Sequence, residues 1–341
     1  MNRVTGNCNN FFSGNLRPDT DNVRAVITGD FQWTPERLGE RNPRNIQLVG
    51  DFISEVQPNF IIIPGDLVES TMYLKEQRDK VEFADAMKRL TDERAAFWIG
   101  GNHDGGMVLQ NGKWVCSTDG VERVREVLAN VPNMHYVGEK GGIYLNDSSI
   151  EGKDFKPVNI HIGGIEFPVE YYIEQKEKLE DYLHNLEVAI SMQGNEIAMD
   201  NTLNIFLIHD IRKLIILVKQ GKLPKELLQT LQKIEFLIGG HNHGLGVHNR
   251  VAQHLPGNDG FFAPSGELLP TDGRGTQKIA GIDTLQVGHV NFTPSNKPLD
   301  TIWGRDPWAD VMDFIPKGQY PIEGLHKLPG EYYRKLAKKK R

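Results

Sequence analysis

Five short apolar runs along the chain each end at a cluster of polar residues. The runs and the residues that follow them are VRAVIT before Gly29–Asp30, FIII before Pro64–Asp66, AAFWI before Gly100–Asp104, NIFLI before His209–Asp210, and EFLI before Gly239–His243. Short apolar runs that do not alternate with polar residues are typical of strands buried on both faces of a sheet. The sequence therefore predicts buried strands with polar side chains at their carboxyl ends.

Helical patterns separate several of these runs. Apolar residues recur with helical spacing in Val49, Phe52, Ile53 and Val56, and a second stripe follows in Val81, Phe83, Ala84, Met87 and Leu90. Alternating strands and helices predict an α/β fold. In such folds ligands gather beyond the carboxyl ends of the strands, which is where all five polar clusters lie.

The last polar cluster, IGGHNHG, places His241 and His243 two residues apart. Histidine is the commonest side-chain metal ligand, and a catalytic ion needs at least a third ligand. The residues that could join this pair at one end of a sheet are Asp30, Asp66, Asn102 and His209. Oxygen and nitrogen donors without a thiolate suit Mn²⁺, iron or Zn²⁺ at a catalytic site. A set of this size suits two ions that share a bridging carboxylate.

The order of these motifs resembles that of the calcineurin-like metallophosphoesterases. In this chain the motifs are GDFQ, PGDL, GNHD, IHD and GHNH, and the resemblance extends over roughly residues 23–290. It implies a four-layered α-β-β-α sandwich, in which two sheets face each other and a dinuclear metal site lies at the carboxyl ends of the strands. It also implies metal-dependent hydrolysis of a phosphate ester, in which a water or hydroxide that bridges the two ions attacks phosphorus.

The resemblance implies a role for each residue of the motifs. The first metal would be bound by Asp30 and His243, both metals by Asp66, and the second metal by Asn102, His209 and His241. Beside the metals, His103 would steady or protonate the leaving oxygen, and Asp104 would orient the histidine. The expected cofactors are two divalent ions, with Mn²⁺ preferred and iron or Zn²⁺ as alternatives.

The first motif departs from the family pattern. The family has Asp-x-His here, whereas this chain has Asp30-Phe31-Gln32. An amide carbonyl is a weaker ligand than imidazole for the later transition metals. Either Gln32 binds the first metal through Oε1, or a water takes its place, or that metal is loosely held. A solvent-facing polar side chain is the alternative interpretation of Gln32.

The expected substrate is a phosphodiester, either a nucleotide or a nucleic acid. This preference rests on resemblance alone, because GHNHG is similar to the motifs of small phosphodiesterases and GNHD is usual among repair nucleases. A phosphomonoesterase is the alternative within the same class. An alternative from another class is a binding or structural protein with a degenerate metal site. Gln32 supports this alternative, whereas the intact GNHD and GHNH motifs argue against it.

Charge and cysteine content exclude several other classes of protein. The net charge of −6 does not suggest a nucleic-acid binder that acts through its overall field. The two cysteines, Cys8 and Cys116, exclude a disulfide scaffold and a zinc-finger framework and suit a reducing compartment. We find neither a signal peptide nor a membrane-spanning run in the sequence and therefore expect a cytoplasmic protein.

Composition divides the chain into three parts. Residues 1–21 form a polar leader, residues 22–295 the metallophosphoesterase domain, and residues 296–341 an irregular tail. The tail has little periodicity and ends in the basic run RKLAKKKR, which is ordinarily a solvated terminus and alternatively a contact for phosphate backbones.

Overall fold

A computed structural model of the protein describes the strands, the main helices and most of the loops near the strand ends. The described residues are 23–38, 42–106, 108–110, 113–115, 120–138, 143–146, 159–165, 183–184, 186–191, 202–210, 214, 217, 220–231, 234, 236–241, 276–279, 282–286, 310–314 and 326–327. Within these ranges, no helix has both the length and the apolar character needed to cross a membrane.

Fourteen strands are described. They are β1 (Val23–Ile27), β2 (Phe60–Ile63), β3 (Ala95–Trp98), β4 (Val108–Gln110), β5 (Lys113–Val115), β6 (Met134–Tyr136), β7 (Ile143–Asn146), β8 (Asn159–Ile165), β9 (Thr202–Ile208), β10 (Phe236–Gly239), β11 (Thr276–Ile279), β12 (Ile282–Gln286), β13 (Asp310–Phe314) and β14 (His326–Lys327). The described α-helices with defined bounds are α1 (Asn42–Val56), α2 (Gln77–Thr91), α3 (Gly120–Leu128) and α4 (Lys225–Leu231). Two short 3₁₀ helices span Glu36–Leu38 and Thr71–Lys75.

The first sheet has the strand order β14-β13-β1-β2-β3-β6. Strands β1, β2, β3 and β6 run parallel, and each chain crossover between β1, β2 and β3 contains a helix. Every residue of β2 and β3 is buried, as the apolar runs FIII and AAFW predict. The carboxyl ends of four parallel strands therefore meet at one edge of this sheet.

The second sheet has the order β11-β12-β10-β9-β8-β7. Its four central strands, β8, β9, β10 and β12, are parallel, and the edge strands β7 and β11 are antiparallel. The α/β fold that the sequence predicts is confirmed, and both sheets contain parallel strands. The complete four-layered sandwich stays a prediction.

Helices cover one face of each sheet with apolar side chains. Against the first sheet, α1 buries Val49, Phe52 and Ile53, which are at most 2% exposed. Against the second sheet, α4 buries Leu227 and Leu231 beside Phe206 and Leu237. One member of the predicted apolar stripe on α2 faces solvent. Val81 is 50% exposed, while Phe83, Met87 and Leu90 are buried.

The predicted tail, residues 296–341, contributes two strands. Strand β13 pairs antiparallel with β1, with Val311 opposite Val26, and β14 pairs with β13. The expectation of an irregular tail is wrong at these positions, because the free edge of β1 offers backbone groups for a further strand. The leader and the basic run at 334–341 lie outside the described residues, and the domain boundaries stay a prediction.

Candidate active site

The first two polar loops continue the pairing of β1 with β2 beyond the ends of the strands. The backbone N–H of Asp30 donates to the carbonyl of Gly65 at 3.0 Å, and the N–H of Gln32 donates to the carbonyl of Asp66 at 2.9 Å. Trp33 and Val68 then form an isolated parallel bridge. This pairing holds the two aspartates beside each other at the edge of the sheet.

Four candidate residues have left-handed backbones. The φ angles are +49° at Asp30, +43° at Gln32, +54° at Asp66 and +72° at His241. This conformation costs a residue with a side chain about 1–2 kcal/mol, and such strain gathers where surrounding structure imposes it for function. The clustering of four of them in one small region marks that region as a functional site.

Two glycines allow the loops to approach closely. Gly65 has a φ of +111°, and a Cβ built on it would lie 2.6 Å from Nδ1 of His209. A Cβ on Gly101 would overlap the carboxylate of Asp66. The glycines of the GD and GGNHD motifs are therefore required beneath the candidate ligand side chains.

Donor atoms from four loops converge beyond the strand ends. Asn102 Oδ1 lies 2.7 Å from His241 Nδ1 and 3.0 Å from His209 Nε2, and His209 Nε2 lies 3.2 Å from Asp66 Oδ2. Ligands about 2.1 Å from one ion and at right angles to each other lie about 3.0 Å apart. The spacing of these four atoms therefore fits the edges of the coordination shell of a single divalent ion.

The ring of His209 is held from its far side. Its Nδ1 lies 2.7 Å from the carbonyl oxygen of Pro64, and the side chain is fully buried. A neutral ring that donates through Nδ1 presents Nε2 as a lone pair, which is the atom that faces Asp66 and Asn102. The local fold thus selects the nitrogen that could bind metal.

The carboxylate of Asp30 contacts the backbone of His241. Both of its oxygens are 3.1 Å from the backbone N–H of His241. A Cβ built on Gly240 would lie 3.0 Å from Asp30 Oδ2, so the GGH turn fits tightly over this carboxylate. These contacts join the first motif to the last.

Burial and neighbouring charges shift the pKa values of the two aspartates of the site in opposite directions. Burial raises the pKa of Asp30 to about 7, with His209 opposing and Asp66 adding to the rise. Burial acts in the same direction on Asp66, but His209 and His103 hold the pKa of Asp66 well below its usual range. Burial disfavours the charged form of His209, but Asp66 and Asp30 raise its pKa to about 9. The cluster thus holds buried negative charge that depends on nearby positive charge, which divalent ions would supply.

His103 lies beside Asp66. Its backbone N–H donates to Asp66 Oδ1 at 2.9 Å, and its ring Nδ1 lies 2.7 Å from the carbonyl oxygen of Glu69 and 3.7 Å from Glu69 Oε2. Burial lowers the pKa of His103, but Asp66 and Glu69 together raise it above the ordinary value. With Nδ1 directed to Glu69, Nε2 is the other ring nitrogen that can carry or accept a proton.

Asp104 joins the second and third loops from beneath. Its carboxylate accepts backbone N–H groups from Leu67 at 3.1 Å, Val68 at 3.0 Å and Gly101 at 2.9 Å. Burial and the charge of Asp66 raise the pKa of Asp104 to about 6, and the three N–H donors oppose the rise. Asp104 therefore positions the backbone of both loops.

Comparison with known proteins identifies the family of the chain. The sequence profile of the calcineurin-like phosphoesterases matches residues 23–245. The chain belongs to the calcineurin-like phosphoesterase family. No curated protein sequence matches it. Among solved structures it is similar to a phosphopantetheinyl hydrolase from Mycobacterium tuberculosis, with 11% identity, a TM-score of 0.42, and coverage of 87% of this chain and 97% of the other.

Family membership establishes the general chemistry. A calcineurin-like phosphoesterase is a hydrolase that uses divalent metals and acts on phosphate esters, and Asp66, His209 and His241 form a group able to hold a metal ion. The resemblance stated from the sequence motifs is therefore confirmed. The finer assignments, which concern the substrate, the metal and the role of each residue, are proposals.

Most of the predicted site residues of this phosphoesterase lie together. The residues that the structure brings to one edge are Asp30, Gln32, Asp66, Asn102, His103, Asp104, His209 and His241. Gln32 is only 3% exposed, so the solvent-facing alternative is wrong. The second histidine of GHNH, His243, lies outside the described residues.

Two residues near the ligands were not assigned from the sequence. Glu69 contacts the ring of His103 through its backbone carbonyl, and Asp210 Oδ2 lies 3.8 Å from Nε2 of His241. The available signal was proximity in sequence, because Glu69 follows Asp66 by three positions and Asp210 directly follows His209. Proximity alone does not reveal which atom of a ring each residue faces.

Proposed function

We propose that this phosphoesterase hydrolyses a phosphodiester, in a nucleotide or a nucleic acid, with two divalent metal ions. The observation that carries the proposal is the convergence of nitrogen and oxygen donors from separate loops at spacings that fit metal coordination. Mn²⁺ is the ion we propose, because these donors include no thiolate and Mn²⁺ accepts both imidazole and carboxylate ligands; iron and Zn²⁺ are the alternatives.

Each ligand has a proposed place. The first ion is bound by Asp30, Gln32 and His243, both ions by Asp66, and the second ion by Asn102, His209 and His241. Gln32 is buried beside Asp66, which supports a ligand role for it. When bound, two divalent ions activate water for attack on phosphorus and stabilise the negative charge that develops on the phosphoryl oxygens.

The residues of the chain supply position and protons. Asp66 is fully buried and accepts a hydrogen bond from the backbone N–H of His103, so the backbone of GNHD is fixed relative to the bridging carboxylate. His103, with Nδ1 directed to the carbonyl of Glu69, donates a proton through Nε2 to the leaving oxygen. Asp104 keeps the two loops in register by accepting three N–H groups.

The choice of a diester follows from the motifs alone. GNHD and GHNHG are similar to the motifs of repair nucleases and small phosphodiesterases, and GDLVES differs from the GDxxDRG of the phosphoprotein phosphatases. A phosphomonoester is therefore the second candidate within the same chemistry.

Hydrolysis of two related esters separates these candidates. Purified protein with added Mn²⁺ is assayed with bis(p-nitrophenyl) phosphate and with p-nitrophenyl phosphate, and bound metal is measured in parallel. We expect two ions per chain and a higher kcat/KM for the diester. A higher value for the monoester would replace the diester by the second candidate.

A matched pair of variants tests the site itself. Asp66→Asn removes the proposed bridging charge, whereas Asp85→Asn changes an exposed carboxylate on α2. Asp66→Asn is expected to lower occupancy at both metal positions and to abolish hydrolysis, and Asp85→Asn is expected to change neither. An Asp66→Asn protein with two ions and near-normal turnover would overturn the assignment.

A further inference from the structure

The two histidines beside Asn102 face the donor cluster through different ring atoms. His209 presents Nε2, because its Nδ1 lies 2.7 Å from the carbonyl oxygen of Pro64. His241 presents Nδ1, which lies 2.7 Å from Oδ1 of Asn102. A neutral imidazole carries its hydrogen on one nitrogen, so a ring that binds metal through Nδ1 must carry hydrogen on Nε2. That hydrogen needs an acceptor on the far side of the ring.

Asp210 lies on that far side. Its Oδ2 is 3.8 Å from Nε2 of His241, and the two side chains are only 11% and 17% exposed. This distance is that of an ion pair and is longer than a hydrogen bond, so a small rotation of the Asp210 side chain would be needed to close it. Asp210 follows His209 directly, at the end of β9, so the strand that supplies one ligand also carries this carboxylate.

The backbone of His241 leaves little freedom for other arrangements. Its N–H is held by both oxygens of Asp30, and its φ of +72° is imposed by the turn. Its ring stands edge-on to the ring of His209, with centroids 5.1 Å apart. The remaining variables are the two side-chain torsions and the position of the ring hydrogen.

We propose that Asp210 is a positioning residue for the second metal, which accepts the Nε2–H of His241 and so presents Nδ1 to the ion. This inference rests on the proposed function, because it assigns the second metal to His241. A carboxylate behind a ligating histidine fixes the orientation of the ring and makes the nitrogen a stronger donor. Asp210 performs for His241 what the carbonyl of Pro64 performs for His209.

The test compares metal affinity in Asp210→Ala, Asp210→Asn and the control Asp85→Ala, which removes an exposed carboxylate on α2. Calorimetric titration with Mn²⁺ measures both dissociation constants. Asp210→Ala should weaken the second site by about 10–100-fold and leave the first site unchanged. Asp210→Asn keeps an acceptor oxygen and should retain most of the affinity, and the control should match the wild type. Equal affinities in all four proteins would overturn the proposal.

A spectroscopic measurement gives an answer even if Asp210→Ala does not fold. In ¹⁵N-labelled wild-type protein loaded with Zn²⁺, which is diamagnetic, the ring hydrogen of His241 should be found on Nε2 and should exchange slowly with water. In Asp210→Ala this resonance should broaden through fast exchange. A ring hydrogen on Nδ1 in the wild-type protein would overturn the proposal.

The outcomes separate this inference from the function beneath it. If the wild-type protein binds two ions and hydrolyses diesters while Asp210→Ala binds both ions equally well, only the role of Asp210 fails. If the wild-type protein binds neither Mn²⁺ nor Zn²⁺, the proposed function and the role of Asp210 fail together.

Discussion

The carboxylate of Asp30 should destabilise the folded chain when metal is removed. Burial raises its pKa from 3.8 to about 7, so at pH 8 the folded protein carries a charge that its interior disfavours. A difference of about three pKa units corresponds to about 4 kcal/mol. Asp30→Asn removes this charge and keeps one acceptor oxygen for the N–H of His241, and the lost second contact offsets about 1 kcal/mol. The variant should therefore be more stable than the wild type by about 3 kcal/mol.

The extra stability of Asp30→Asn over the wild type should depend on pH. A raised pKa means that the folded state holds the Asp30 proton more tightly than the unfolded state does. The stability contributed by that proton is complete below pH 3.8 and is lost as pH rises to about 7. The advantage of Asp30→Asn should therefore grow between these limits and level off above pH 7.

Metal should reverse the order of stability. Urea unfolding with a chelator at pH 8 should show Asp30→Asn above the wild type, whereas saturating Mn²⁺ should stabilise the wild type more. An ion at 1,000 times its dissociation constant adds about 4.1 kcal/mol, which exceeds the advantage of about 3 kcal/mol, and the variant should lose this gain at the first site. Asp85→Asn, an exposed change on α2, is the control in both arms. A variant that is less stable than the wild type in chelator, or that gains as much stability from Mn²⁺ as the wild type does, would contradict this prediction.

Three further substitutions give distinct outcomes. His103→Ala should lower kcat by about 10²–10⁴-fold with unchanged metal content. The loss should be smaller for nitrophenyl than for alkyl esters, because acidic leaving groups need less protonation. Equal losses for the two kinds of ester would contradict this role. Asp104→Ala leaves three buried N–H groups without their acceptor and should lower the free energy of unfolding in urea by about 2 kcal/mol or more, with a smaller loss in Asp104→Asn. Gln32→His should raise Mn²⁺ affinity at the first site by about 10-fold in a metal titration, and unchanged constants in Gln32→His and Gln32→Ala would place Gln32 away from the metal.

The site could be predicted from the sequence because each candidate ligand follows a strand. Asp30, Asp66, Asn102 and His209 come directly after apolar runs, and parallel strands bring their carboxyl ends to one edge. The motifs also contain the glycines that the site needs, because a side chain at Gly65 or Gly101 would clash with His209 or Asp66. Order along the chain was thus enough to group these residues.

Other features depend on long-range geometry that a linear pattern does not carry. Strand β13 is five residues long and pairs with β1 from the far end of the chain, so no local periodicity distinguished it from the rest of the tail. The role of Asp104 depends on the direction of three N–H groups in two loops, and that of Asp210 depends on the ring orientation of His241. These orientations follow from loop packing and left-handed backbones.

The most direct test of the dinuclear site is the anomalous diffraction of crystals grown with Mn²⁺. Two anomalous peaks about 3.5–4 Å apart are expected at the carboxyl ends of the strands. The carboxylate of Asp66 should lie close to both peaks. Asn102, His209 and Nδ1 of His241 should surround the second peak. A single peak, or two peaks that do not share Asp66, would show that the site is not a dinuclear centre bridged by Asp66.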